Sequence, residues 1–205
     1  MQKTVYFRTF EEEDVDLIYK WMNDDELKKL SVGLNRRMSK EECKNWINAR
    51  KDHNPYQVWW AICAIDTDKM IGYACITNIH YINSSAEYGG IVLGDVDYKD
   101  GTAWIENYLH LFDFNDGFAW LETVYHMFEY AFESLGLNRV YGESLVGHPM
   151  SNRIGKIMFM TTEGILRQAA YKNGRFYDLQ LDSIVRDEYF AHRAAGDYDL
   201  IKTIR

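Results

Sequence analysis

The chain has 205 residues, 47% hydrophobic and 15% aromatic, with 23 Lys and Arg against 31 Asp and Glu for a net charge of −8. That length suits one domain, 1–205, with a substantial core, and the aromatic content excludes disorder. The acidic balance argues against nucleic acid or anionic membrane as a partner, since both need clustered cations, and leans toward cationic substrates such as amines.

Residues 5–9 read as a first strand. Val15, Ile18, Trp21 and Met22 then form one apolar stripe of a helix after Asp14. A polar stretch covers 23–26 and 33–35. Ser39 and Glu42 make a capping box, and Cys43, Trp46 and Ile47 share a face of the helix it opens. Strands follow at 57–65, with Trp59 and Trp60 packing on opposite faces, at 70–80 and at 87–93. A helix at 120–135 presents Trp120, Val124, Met127, Phe128, Ala131 and Leu135 to the core, with Gly136 as its C-terminal cap. A strand at 139–146, a helix from Pro149 through Met158, and a hairpin of 164–171 and 176–184 about Asn173-Gly174 complete the chain. The order β-α-α-β-β-β-α-β-α-β-β predicts an α/β fold with one mixed sheet and helices on both faces. Cys43, Cys63 and Cys75 are an odd number without metal-ligand spacing, which points to free buried thiols and no metal site. No apolar run approaches the ~20 residues of a membrane span, and residues 1–8 alternate like a strand rather than a signal peptide. A soluble, cytoplasmic protein is expected.

Several phrases in that order resemble the GNAT superfamily of N-acetyltransferases, in the branch that modifies ribosomal-protein N-termini, polyamines and amino-sugars. They are Phe7-Arg8 with Asp14 and Trp21-Met22-Asn23-Asp24, the runs 69–73 and 86–94, the run 130–140, and the closing pieces 163–168, 173–178 and 186–189. The resemblance implies a sheet that splays between its fourth and fifth strands, with acetyl-CoA in the gap. It sets pantetheine along the backbone of Ile91, Val92 and Leu93, and the pyrophosphate on a small-residue loop at a helix N-terminus. His148 and Ser151, at the start of the following helix, are placed against the cofactor. The acceptor is an amine, either a small molecule or a peptide, bound by the loops 23–39 and 168–177.

The loop is unusual. Residues 97–112 and 113–128 align as a tandem repeat with eight identities in sixteen pairs, namely Asp, Asp, Gly, Ala, Trp, Glu, His and Phe. Coincidental similarity of two amphipathic segments is the alternative. Both copies offer Asp-Gly-x-Ala, at Gly101 with Ala103 and at Gly117 with Ala119. One helix through both would be ~24 Å too long at 1.5 Å per residue. The second copy therefore reads as the cofactor loop, Asn115, Asp116, Gly117, Phe118, Ala119 and Trp120. The first becomes a helical excursion whose Trp104, Ile105, Tyr108, Leu109 and Phe112 form an apolar face. A homodimer is the expected use of that face, and a lid over the acceptor its rival.

Direct transfer from thioester to amine needs a proton acceptor for the amine and an acid for the leaving thiolate. The family's tyrosine for the second task aligns with Gly155 and is missing. Glu87 and Glu143, on the two splayed strands, are candidate bases, with solvated strand carboxylates as the plainer alternative. Tyr141 is a candidate acid, or else a core side chain. The eroded pattern leaves a second reading open, a catalytically degraded acyl-CoA-binding or interaction module. His80 reads as structural.

Overall fold

The computed structural model describes residues 5–33, 36–94 and 118–199. In chain order these form β1 (Val5–Arg8), α1 (Val15–Met22), α2 (Asp25–Leu30), α3 (Lys40–Lys51), β2 (Val58–Ala64), β3 (Met70–His80), β4 (Ser85–Leu93), α4 (Phe118–Glu129), β5 (Arg139–Leu145), α5 (Pro149–Ile157), β6 (Thr161–Lys172), β7 (Arg175–Val185) and α6 (Arg186–Ala195). The expected order is present, with two additions. The short α2 occupies part of the stretch read as polar loop, and α6 follows the hairpin, where a backbone N–H of Val185 is capped by Glu188 at 3.1 Å. Neither carries enough apolar periodicity to stand out from its neighbours.

Seven strands make one sheet in the order β1-β2-β3-β4-β5-β7-β6. Every neighbouring pair is antiparallel except β4 and β5, which run parallel. One face carries the larger core, where Ile62, Ile71, Ile76, Ala86 and Val140 meet Val124, Met127 and Phe128 of α4, Ile154 of α5 and Tyr189 of α6. The opposite face packs Ala61, Cys63, Met70 and Tyr73 against Ile18 and Trp21 of α1 and Cys43 and Ile47 of α3. Alternation sends Trp60 to the first core and Trp59 to the second.

Local signals act as the sequence predicts. Ser39 Oγ accepts from Glu42 N–H at 3.2 Å, while Glu42 Oε2 accepts from Ser39 N–H at 2.8 Å. Gly136 caps the end of the α4 region at φ +65°, after a π turn at Tyr130–Ser134. Asn173 and Gly174 both adopt positive φ, +50° and +79°, the demand of a two-residue hairpin turn. The three thiols are free and buried. Arg8 grips the buried Asp14 through two 2.8 Å bonds, tying the end of β1 to the start of α1. The repeat copy 97–112 and the loop residues Asn115, Asp116 and Gly117 lie outside the described residues.

Candidate active site

The centre of the sheet is its weakest seam. β4 and β5 pair only at Ser85↔Arg139, Ala86↔Val140 and Glu87↔Tyr141, although β4 continues to Leu93 and β5 to Leu145. Beyond Glu87 the strands part. On the β4 side, Tyr73 pairs with Val92 and Cys75 with Gly89, so three steps on β4 oppose two on β3. This bulge bends β4 away from β5. Gly90 sits in it at φ +57°, where an added Cβ would stand 2.7 Å from Cys75 Sγ. On the β5 side, an added Cβ at Gly142 would stand 2.4 Å from Cε1 of Tyr88, so the Tyr88 ring lies across the missing side chain.

Ile91, Val92 and Leu93 lie on β4 beyond its last pair with β5, with Leu93 and Val92 paired to β3 on the other edge. Among the described residues, two buried polar atoms near this region have no hydrogen-bond partner, Ser144 Oγ on β5 and Asn152 Oδ1 on α5. Buried polar atoms are nearly always paired, so these two fit a ligand with polar groups along its length. The sequence pattern did not mark Ser144, whereas Asn152 falls in the stretch 151–153 that matches a common variant of the family's helix motif. Of the predicted loop residues, Phe118, Ala119 and Trp120 belong to α4, and Ala119 is buried in the first core. His148 and Ser151 are brought together. His148 Nδ1 accepts from Ser151 N–H at 3.1 Å and lies 3.2 Å from its Oγ, which caps α5. Burial pushes the imidazole below its ordinary pKa.

The three residues expected to carry chemistry share the face opposite α4. Strand alternation sets Glu87 beside its ladder partner Tyr141, with Glu143 two residues further along. Glu87 accepts a 2.7 Å bond from Asn78 Nδ2, and Asn78 adopts φ +51° at a register shift in β3. Burial raises the Glu87 carboxyl above the usual range against the lowering effect of Asn78, and the charge of Glu143 raises it further. Burial, then Glu87 and Glu143, push the Tyr141 phenol up. The other side of Tyr141 is basic. Arg139 stands 5.6 Å over its ring and is held by Glu163 at 2.7 Å and Ser183 at 2.9 Å. A half-buried carboxylate with a raised pKa at the apex of the opening is suited to proton acceptance.

The wall beside the bulge is aromatic. Trp59 lies against Gly90, and the Arg50 guanidinium stacks on Trp46 and Trp59 at 4.2 and 4.7 Å. Tyr73, Trp46 and Phe10 complete the cluster. Behind the cleft, at the position aligned with the family's tyrosine, Gly155 faces a pocket of about 260 Å³ lined by Asn152, Lys156, Met160, Thr162, Gln180 and Asp182.

Comparison with known proteins agrees with this architecture. The profile of the acetyltransferase (GNAT) domain family matches residues 4–156. Over 57 residues the chain is 40% identical to an uncharacterized N-acetyltransferase, YoaA, of Bacillus subtilis (strain 168), a stretch covering 28% of this chain and 32% of that protein. The chain thus spans about a third of the length of the curated relative it matches. The fold is similar to that of a spermidine N-acetyltransferase from Vibrio cholerae in complex with CoA and spermine, with a TM-score of 0.72 at 20% identity over 91% of this chain and 98% of that one. It is also similar to a GCN5-related N-acetyltransferase from Brucella melitensis, with a TM-score of 0.71 at 18% identity over 95% and 81% of the two chains.

Proposed function

From the premise that the chain belongs to the acetyltransferase (GNAT) domain family, which its match over residues 4–156 establishes, we propose that it transfers the acetyl group of acetyl-CoA to a primary amine. The observation that carries this reading is the parting of β4 and β5 after Glu87, with a carboxylate of raised pKa at its apex. The residues present fit the acyl donor. The free edge of Ile91–Leu93 offers backbone groups to an extended amide chain, and the orphaned Ser144 Oγ and Asn152 Oδ1 offer further partners. The loop 115–120 supplies the phosphate site, and its described part lies in the first turn of α4. When bound, acetyl-CoA supplies an activated acyl carbon and a thiolate leaving group.

On this reading Glu87 takes a proton from the bound ammonium, directly or through water, and the neutral amine then attacks. Glu143 and Tyr141 keep the surroundings negative and polar, which favours a cationic acceptor. The acceptor is a small amine, an amino-sugar or a protein N-terminus, bound between the loops 23–39 and 168–177. The Vibrio cholerae relative, solved with spermine, makes a polyamine the first compound to try. The chain acts as one cytoplasmic domain. The first repeat copy, 97–112, serves self-association into a homodimer.

Two measurements on the intact protein test the assignment, thermal stabilisation by acetyl-CoA and thiol release across a panel of amines. Stabilisation with amine-dependent thiol release is expected. Stabilisation without release for any amine would instead identify a binding module, and the absence of both would remove the acetyltransferase reading.

A further inference from the structure

We propose that Tyr88 is the acid that protonates the leaving thiolate, a role taken over by a strand residue because the helix position aligned with the family's acid is Gly155. The inference rests on the acetyl-transfer reading above and adds the residue that completes it.

Three features place Tyr88. It is the first β4 residue beyond the last β4–β5 pair, Glu87↔Tyr141, so it stands at the apex of the opening. Its side chain points to the face opposite Glu87, where its ring packs edge-on against Phe128 of α4 at 5.4 Å. It then reaches over the gap, because Gly142 on β5 has no side chain to exclude it. Any larger residue at 142 would displace the ring. The neighbouring strand β7 sets Asp182 directly beside Gly142, and the negative charge of Asp182 acts on the Tyr88 phenol.

Asp182 is itself built to stay in place. It is buried, and its Oδ1 accepts from Thr162 Oγ1 at 2.6 Å, while Gln180 Nε2 lies 2.9 Å from both oxygens. Above it, an added Cβ at Gly155 would come no closer than 3.8 Å to Asp182 Oδ2. A tyrosine entering from α5 would occupy that space. Here the space is a polar pocket lined by Thr162, Gln180 and Asp182, and the Tyr88 phenol on β4 feels the charge of Asp182. Burial, then Asp182, hold the phenol above its usual pKa, so it carries its proton through the neutral range. Tyr141, the other candidate, lies on the acceptor face between two carboxylates and an arginine.

The step balances. Glu87 takes one proton from the ammonium, the freed amine nitrogen forms a C–N bond with the acetyl carbon, and its second surplus proton leaves to water as the amide forms. Tyr88 gives its Oη proton to sulfur as the C–S bond breaks, leaving amide and free thiol. The phenolate regains a proton from water, and protonated Glu87 returns its own to solvent. Base and acid work from opposite faces of the sheet, so incoming and outgoing groups do not compete for one side chain.

The test is Tyr88→Phe, which keeps the ring and its packing. Wild type and variant are compared in amine-dependent thiol release, in acetyl-CoA binding by calorimetry, and in the ionisation of the CoA thiol bound to each protein, followed by thiolate absorbance. The expected result is a kcat loss of about 100-fold or more, with acetyl-CoA affinity retained. The bound thiol should also titrate about one pH unit or more higher in the variant, because a donated hydrogen bond favours the thiolate. A kcat within a few-fold of wild type, an unchanged thiol ionisation, or a loss explained by acetyl-CoA affinity would each overturn the assignment. If the wild type releases no thiol with any amine, acetyl transfer fails as a reading. The thiol ionisation then still decides whether Tyr88 addresses the sulfur.

Discussion

The Nζ of Lys172 lies 2.6 Å from the carbonyl oxygen of Lys29, a hydrogen bond between residues 143 positions apart in the chain. The same ammonium donates to the carbonyl of Ser31 at 2.7 Å and to that of Lys28. These carbonyls lie at the C-terminal end of α2, where a buried cation is a favourable donor. The hairpin tip between β6 and β7 is thereby fastened to the α1–α3 connection. Asn23 fastens the other end, accepting from Met38 N–H and donating to Met38 O at 2.9 Å each.

Lys172→Met should therefore loosen together the two loops, 23–39 and 168–177, proposed to bind the acceptor. It removes three charge-assisted hydrogen bonds to backbone carbonyls, at a cost of about 1–3 kcal/mol, measurable by urea unfolding. The kinetic expectation is a raised KM for the amine with an unchanged KM for acetyl-CoA. A change in the acetyl-CoA value alone would place these loops elsewhere than at the acceptor.

Glu87 gives a pH expectation with a definite sign. Only the ionised carboxylate accepts a proton, so kcat/KM rises with pH through the Glu87 pKa. Burial and Glu143 hold that pKa above the ordinary value of about 4.3. Glu143→Gln removes the repulsion and should move the acid limb to lower pH, while Glu87→Gln should abolish the limb and cost about 100-fold or more in rate. A limb that stays put in Glu143→Gln would show that another group governs it.

Gly142→Ala drives a methyl group into the Tyr88 ring and should destabilise by about 1–3 kcal/mol, as overpacking does. Tyr88→Ala vacates the same space. The double variant should accordingly lose less than the sum of the singles, and additivity in denaturant unfolding would mean that the two residues do not meet.

Much of this architecture was legible. The capping box at Ser39 and Glu42, the Asn173-Gly174 turn and the Gly136 cap are local devices whose residues carry their own backbone geometry. Glu87, Tyr141 and Glu143 were found together because alternation on two neighbouring strands fixes a shared face. Tyr88 was not, since a strand reading assigns it to a core and cannot register that Gly142, 54 positions later, leaves it open space. The lock of Lys172 on α2 was hidden for the same reason. Lysine in a hairpin reads as solvent-exposed, and its burial follows from a tertiary approach with no periodic trace. The short α2 and the closing α6 have charged, weakly patterned sequences whose helicity rests on packing.

The repeat offers a comparison of its own. Gly117→Val should abolish acetyl-CoA binding in calorimetric titration, because a β-branched side chain blocks approach of the backbone to the phosphates. Gly101→Val should matter less. The reverse ranking would assign the phosphates to the first copy.

The three-pair ladder between β4 and β5 also bears on mechanics. The sheet is two slabs, β1–β4 and β5–β7, stitched along a short hem. A molecule lying in the opening acts as additional thread, contributing cross-links that the strands do not exchange. Ligand binding then reinforces the fold at its least reinforced line. Melting temperature should climb with acyl-donor concentration by mass action, and slowed amide exchange should concentrate at the facing edges of 88–93 and 142–145 rather than at the outer strands.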